Sequence, residues 1–144
     1  MSDQEALLLA LDPGEATGFV LVPCVALPAV LAEADFPEPR VMGVLSLWRG
    51  VDRLIADYRP CRIVIEQFRL YPNKAAEQSY STMLAPQVIG AVRCLAEGWG
   101  IPVIEQSAAT GKSVYLPDAV FAALKSRHIR DAYCHAVKYL KTMR

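Results

Sequence analysis

Five consecutive apolar residues, Leu7 to Leu11, run directly into an acid, Asp12, and then into Pro13 and Gly14. An unbroken apolar run has no polar side to turn toward water, so it reads as a buried central strand. Pro13 and Gly14 force a turn, with Gly14 free to take positive φ. Thr17 to Val22 reads as a second strand. The two strands make a hairpin built around a carboxylate.

The remaining chain fits round that strand. Residues 23–40 carry four prolines and mixed polarity and are expected to be a loop. Val41 to Leu47 reads as a third strand. From Trp48 to Tyr58 the spacing of Val51, Leu54, Ile55 and Tyr58 is helical, and Pro60 stops it. Arg62 to Ile65 is a short β-branched strand running into Glu66. A polar, aromatic and basic segment follows, then a helical region over roughly 75–97, in which Pro86 kinks the helix or starts a new one. Ile101 to Ile104, closed by Glu105, is the fifth strand. Asp118 after Pro117 reads as an N-cap for a short helix over Ala119–Leu124. The order β-β-β-α-β-α-β-α-α implies an α/β fold, with a mixed five-stranded sheet, its first three strands antiparallel, and helices on the sheet faces.

At 144 residues the chain suits a single domain spanning 1–144, and 53% hydrophobic against 21% charged residues excludes a disordered one. No apolar run approaches a membrane span, and the opening residues lack a basic signal-peptide region, so a cytoplasmic protein with no membrane partner is expected. Cys24, Cys61, Cys94 and Cys134 lack metal-binding spacing, and reduced, mostly buried thiols are expected. Net charge is zero but unevenly spread. Residues 1–40 hold seven acids and one Arg, whereas residues 112–144 hold seven Lys or Arg and two acids. The basic quarter is a candidate phosphate-contacting face.

The last helical stretch, Arg127 to Leu140, carries the densest set of chemical groups. Ile129, Ala132, Tyr133, Ala136, Val137 and Leu140 form one apolar stripe, and His128, Asp131 and His135 share its flank. Two imidazoles and a carboxylate so placed suit metal ligation or acid–base work. Asp12 and Glu66, each ending an apolar strand, could join them at one sheet edge, where α/β sites form. Each also has a plainer reading: a solvated helix edge, a turn aspartate, a glutamate paired with Arg, and for His135 a structural or supporting histidine.

In order along the chain, LALDPGEATG, IVIEQF and HIRDA resemble the RuvC-type Holliday junction resolvases of the ribonuclease H-like superfamily. The resemblance covers roughly Leu7 to Leu140, and the short chain looks like phage or prophage versions. It implies a ribonuclease H-like fold and a magnesium-dependent endodeoxyribonuclease that resolves four-way junctions as a homodimer. Residue by residue, it assigns catalytic and metal-binding roles to Asp12, Glu66 and Asp131, with His128 at a position that is acidic in some members and histidine in others. Two magnesium ions about 4 Å apart would activate water and stabilise the leaving oxygen, with manganese as an alternative ion. Asp12 would bridge both ions, Glu66 and Asp131 would hold one each, and His128 would ligate an ion or orient and deprotonate the water.

Phe68, Arg69, Tyr71, Asn73 and Lys74 fall where the family has a junction-contacting loop, and an aromatic among cations suits base stacking and phosphate neutralisation. Lys112 matches a family lysine near the scissile phosphate. Its ATGKS context mimics a phosphate-binding loop, but Gln106 stands where that loop needs its first glycine. Alternatives within the superfamily are a YqgF-type nuclease acting on structured RNA and a non-catalytic nucleic-acid-binding or scaffold module. An actin-like ATP-binding fragment is a further one, for which the chain is short.

Overall fold

The protein is described by a computed structural model covering residues 5–14, 16–25, 28–36, 43–68 and 84–143. Five strands, β1 (Leu7–Asp12), β2 (Thr17–Pro23), β3 (Ala32–Phe36), β4 (Arg62–Glu66) and β5 (Val103–Gln106), form one sheet in the order β3-β2-β1-β4-β5. β1 pairs antiparallel with β2, and β2 with β3; β4 and β5 join in parallel. This is the expected mixed sheet, with the apolar run of β1 at its centre.

The helices are α1 (Val44–Tyr58), α2 (Leu84–Trp99), α3 (Ala108–Lys112), α4 (Asp118–Ala123) and α5 (Arg127–Thr142). Because strand side chains alternate between faces, the two sides of the sheet can be followed by residue parity. Leu9, Leu11, Leu21, Ile63 and Ile65 face α1 and α2, in one core with Val51, Ile55, Val88 and Val92. Leu8, Ala10, Val20, Val22 and Val64 face α5 and pack on its apolar stripe from Ile129 to Leu140. All six stripe residues are buried, as their spacing requires. Ser126 caps α5 by accepting from the Ile129 N–H at 3.1 Å, and its hydroxyl donates to Asp35 on β3 at 2.9 Å.

Three local expectations are corrected. The third strand is Ala32–Phe36, inside the supposed loop; of the Val41–Leu47 strand expected instead, residues 41–42 lie outside the described residues and the rest is not extended. Val44–Leu47 is the first turn of α1, because Leu47 continues the Val51 and Ile55 stripe. Asp118 is the first residue of α4 rather than its cap; Pro117 holds the cap position, and the acid still complements the helix N-terminus. Of the cysteines only Cys134 is buried; Cys61 and Cys94 are exposed. All four are free, and the Cys24 and Cys61 sulfurs are 3.9 Å apart. The helix expected over 75–97 is described from Leu84, residues 75–83 lying outside the described residues, and Pro86 falls in its first turn, where a missing N–H is tolerated. Among the described residues no helix is long and apolar enough to cross a membrane.

One glycine sets how closely α5 can approach the sheet. Gly18, opposite Asp12 on β2, lies against the helix backbone; an added Cβ would sit 2.4 Å from the His128 carbonyl carbon and 2.6 Å from the Ile129 nitrogen. Backbone cannot rotate away as a side chain can. Gly18→Ala is therefore expected to destabilise the protein by about 3 kcal/mol, read as a lower urea midpoint at unchanged slope.

Candidate active site

Residue parity also brings the polar groups together. Asp12, Glu66 and Gln106 are the last residues of three adjacent strands, and each lies an even number of positions from a residue facing α5. Glu66 and Gln106 are register partners, and Leu11 pairs with Ile65 one step earlier. Three polar side chains thus emerge side by side beneath α5. The helix starts at this end of the sheet and presents His128, Asp131 and His135 to them.

His128 Nδ1 lies 3.1 Å from Asp12 Oδ2. Asp12 and Glu66 end adjacent strands, and Glu66 acts electrostatically on Asp12. Glu66 Oε2 lies 2.8 Å from His135 Nε2, and His135 Nδ1 lies 2.7 Å from Gln106 Oε1. Asp12 and His135 are buried, whereas the Glu66 and His128 side chains are partly open to solvent. The hydrogen bonds make two groups at neighbouring strand ends, His128 with Asp12 and Gln106 with His135 and Glu66.

Asp131, between the two histidines on α5, is close enough to act electrostatically on Asp12. Burial raises the Asp12 pKa most, repulsion from Glu66 and then Asp131 adds to it, and the result is about 8. An aspartate that retains its proton near neutrality marks a site with more carboxylate than it can ionise. Among the described residues no three His, Cys, Asp or Glu side chains stand as ready ligands of one ion. The donor set nevertheless fits a hard divalent cation: it offers carboxylate oxygens, and the excess negative charge is what such a cation would neutralise.

Beside these acids lies a small cavity of about 100 Å³ lined by Glu66, Gly111, Lys112, Arg127, Asp131 and His135. Lys112, at the end of α3, is thus placed next to the acids. Arg127, the first residue of α5, joins it. It escaped the motif reading because a residue one before a site histidine carries no signal of which way it faces. A second cavity of about 300 Å³ is lined by Pro13, Glu66, Phe68 and Ser107 among others. Phe68 also packs against the α1 and α2 core, so it is an anchored wall rather than a free projection. Arg69, Tyr71, Asn73 and Lys74 lie outside the described residues. Gln106, which breaks the nucleotide-loop pattern, contacts His135, and His135 in turn contacts Glu66.

No protein-family model matches the sequence, and no curated protein matches it. Solved structures do. The chain resembles Thermus thermophilus RuvC in complex with a Holliday junction substrate, with a TM-score of 0.76 and 17% identity over 96% of this chain and 95% of that one. It also resembles the yeast mitochondrial Holliday junction resolvase Ydc2, at TM-score 0.63 and 10% identity over 95% and 78% of the two chains. For the fowlpox virus resolvase with junction DNA the TM-score is 0.62 and the identity 11%, over 94% and 99%. At these identities the likeness establishes the fold: the sheet and helices are those of the ribonuclease H-like RuvC-type resolvases.

Proposed function

We propose that this protein is a metal-dependent, structure-selective endonuclease that cuts phosphodiesters in branched DNA, with four-way junctions as its substrate and a homodimer as its working form. The observation that supports this reading is the placement of Asp12 and Glu66 at the ends of adjacent strands, with Asp131 near enough to act electrostatically on Asp12, in a fold shared with RuvC. An acid buried beside Glu66 serves no packing purpose, and the cost of ionising it there is relieved by a retained proton or by a bound cation.

Asp12, Glu66 and Asp131 are the residues that would hold divalent magnesium, or manganese in its place. When bound, the metal supplies activation of the attacking water and charge neutralisation on the leaving oxygen. The chain's own groups divide the remaining work. His128, on the open side of Asp12, is placed to orient water and accept its proton. Lys112 and Arg127, lining the cavity beside the acids, are suited to neutralise the non-bridging oxygens of the phosphate. The polar and basic segment after Phe68 is assigned to the DNA by its composition. Two copies would supply one site for each strand cut at a junction.

The test is cleavage of labelled synthetic junctions in magnesium, beside a linear duplex of equal length, a flap and a structured RNA. Paired nicks in the junction, lost with chelator and weak on the duplex, are expected. Preferential cutting of RNA would replace this reading with an RNA-processing one, and junction binding without cleavage in either metal would leave a binding module.

A further inference from the structure

We propose that His135, backed by Gln106, is a positioning residue that fixes the Glu66 carboxylate against Asp12. The inference rests on Glu66 belonging to the active site proposed above, and it concerns what keeps that carboxylate in place.

His135 is the anomaly on α5. The inner face of the helix is otherwise apolar, yet this imidazole is only 1% exposed. A buried ring nitrogen without a partner is costly, and here both nitrogens have one: Glu66 at 2.8 Å and Gln106 at 2.7 Å. A carboxylate only accepts, so Nε2 carries a hydrogen and donates it to Glu66, whichever way the Gln106 amide is turned. Room for the ring comes from Gly111 on α3, where an added Cβ would lie 2.8 Å from Nε2 and 2.9 Å from Cε1. β5, α3 and α5 thus each contribute a group whose effect converges on one carboxylate oxygen.

Glu66 needs such restraint. Its side chain is long and flexible, and about a quarter of it is exposed. Lys112 and Arg127 line the same small cavity and are competing partners for it. Released from His135, the carboxylate is free to turn toward these cations and away from Asp12. Asp12 is held differently. It sits on a rigid strand end and is buried, and its histidine, His128, is one-third exposed and lies on the open side.

The test compares wild type with His135→Leu, Gln106→Leu, Glu66→Gln and the double variant His135→Leu/Glu66→Gln. Manganese binding is followed by electron paramagnetic resonance and junction cleavage by single-turnover kinetics. His135→Leu is expected to weaken manganese binding by about 10- to 100-fold and to lower kcat with KM unchanged, and Gln106→Leu to do the same less strongly. In the Glu66→Gln background, His135→Leu should add little further loss, because the residue it acts through is already changed. Additive losses, or unchanged manganese binding in His135→Leu, overturn the proposal. If His135→Leu fails to fold, Gly111→Ala, which pushes the ring aside, takes its place in the same comparison.

A measurement on the metal-free protein separates this inference from the nuclease reading. The His135 ring nitrogen and proton resonances should shift in Glu66→Gln and, separately, in Gln106→Leu. A wild type that neither binds manganese nor cuts DNA would end the nuclease reading, while the ring resonances would still decide whether the histidine holds Glu66. Absence of a shift in Glu66→Gln refutes it.

Discussion

Asp12→Asn and Glu66→Gln are each expected to lower magnesium-supported junction cleavage by about a thousandfold or more, the scale seen when a central member of a catalytic set is removed. Both substitutions nearly conserve shape. Asp12 is 6% exposed at the end of the central strand, and its neighbours Ala10 and Leu11 are fully buried, so an isosteric amide should leave the sheet undisturbed. What changes is charge. An amide oxygen is a poorer ligand for a hard cation than a carboxylate. Junction affinity should be unchanged or slightly tighter, since a negative group facing the phosphate has been removed. Single-turnover cleavage measured beside a gel-shift titration distinguishes these effects. Either variant cutting at the wild-type rate would mean that the acids at this sheet end are not the reaction centre.

What could be read from the residues was whatever is carried by local pattern. The apolar run before Asp12, the β-branched run before Glu66 and the stripe of α5 each declare their element, because burying them leaves few alternatives. The relation of Asp12 to Glu66 follows from the same pattern, since both close buried strands. β3 is hard to place from sequence because an edge strand needs only one partner and one covered face. Its AEADF sequence carries charges of the kind that protect an edge, and prolines surround it. Val41–Leu47 is more apolar and reads as a better strand, but Val44–Leu47 shares the helical phase of Val51 and Ile55, and that phase prevails. Gln106 and His135 could not be paired from sequence, because their contact depends on strand order and on α5 crossing from β2 at Gly18 to β5 at Gln106. The seven-residue spacing of His128 and His135, which puts both on one helix edge two turns apart, was the available clue. It indicates a shared side but not which strand lies beneath.

Metal-free protein is expected to lose stability as pH rises from about 5 to about 8, by an amount on the order of a few kcal/mol. The sign follows from the proton on Asp12. Its pKa in the folded protein is about 8, against 3.8 for an unperturbed side chain. Between those values the folded protein keeps a proton that the unfolded chain has released, so raising the pH favours unfolding. Below the lower value both states are protonated, and above the upper one both are ionised, so the slope vanishes at each end. Asp12→Asn removes the titrating group; in chelator its stability should vary less over this range, and it should exceed wild type at the upper end. Magnesium should oppose the trend, since a cation among Asp12, Glu66 and Asp131 replaces the proton and relieves their repulsion. Its stabilising effect should therefore be larger near pH 8 than near pH 5 and much reduced in Asp12→Asn. Urea denaturation of both proteins, with chelator and with magnesium, reads all of these differences. Equal pH slopes for wild type and Asp12→Asn in chelator would show that the repulsion among the acids is relieved by something other than a retained proton on Asp12.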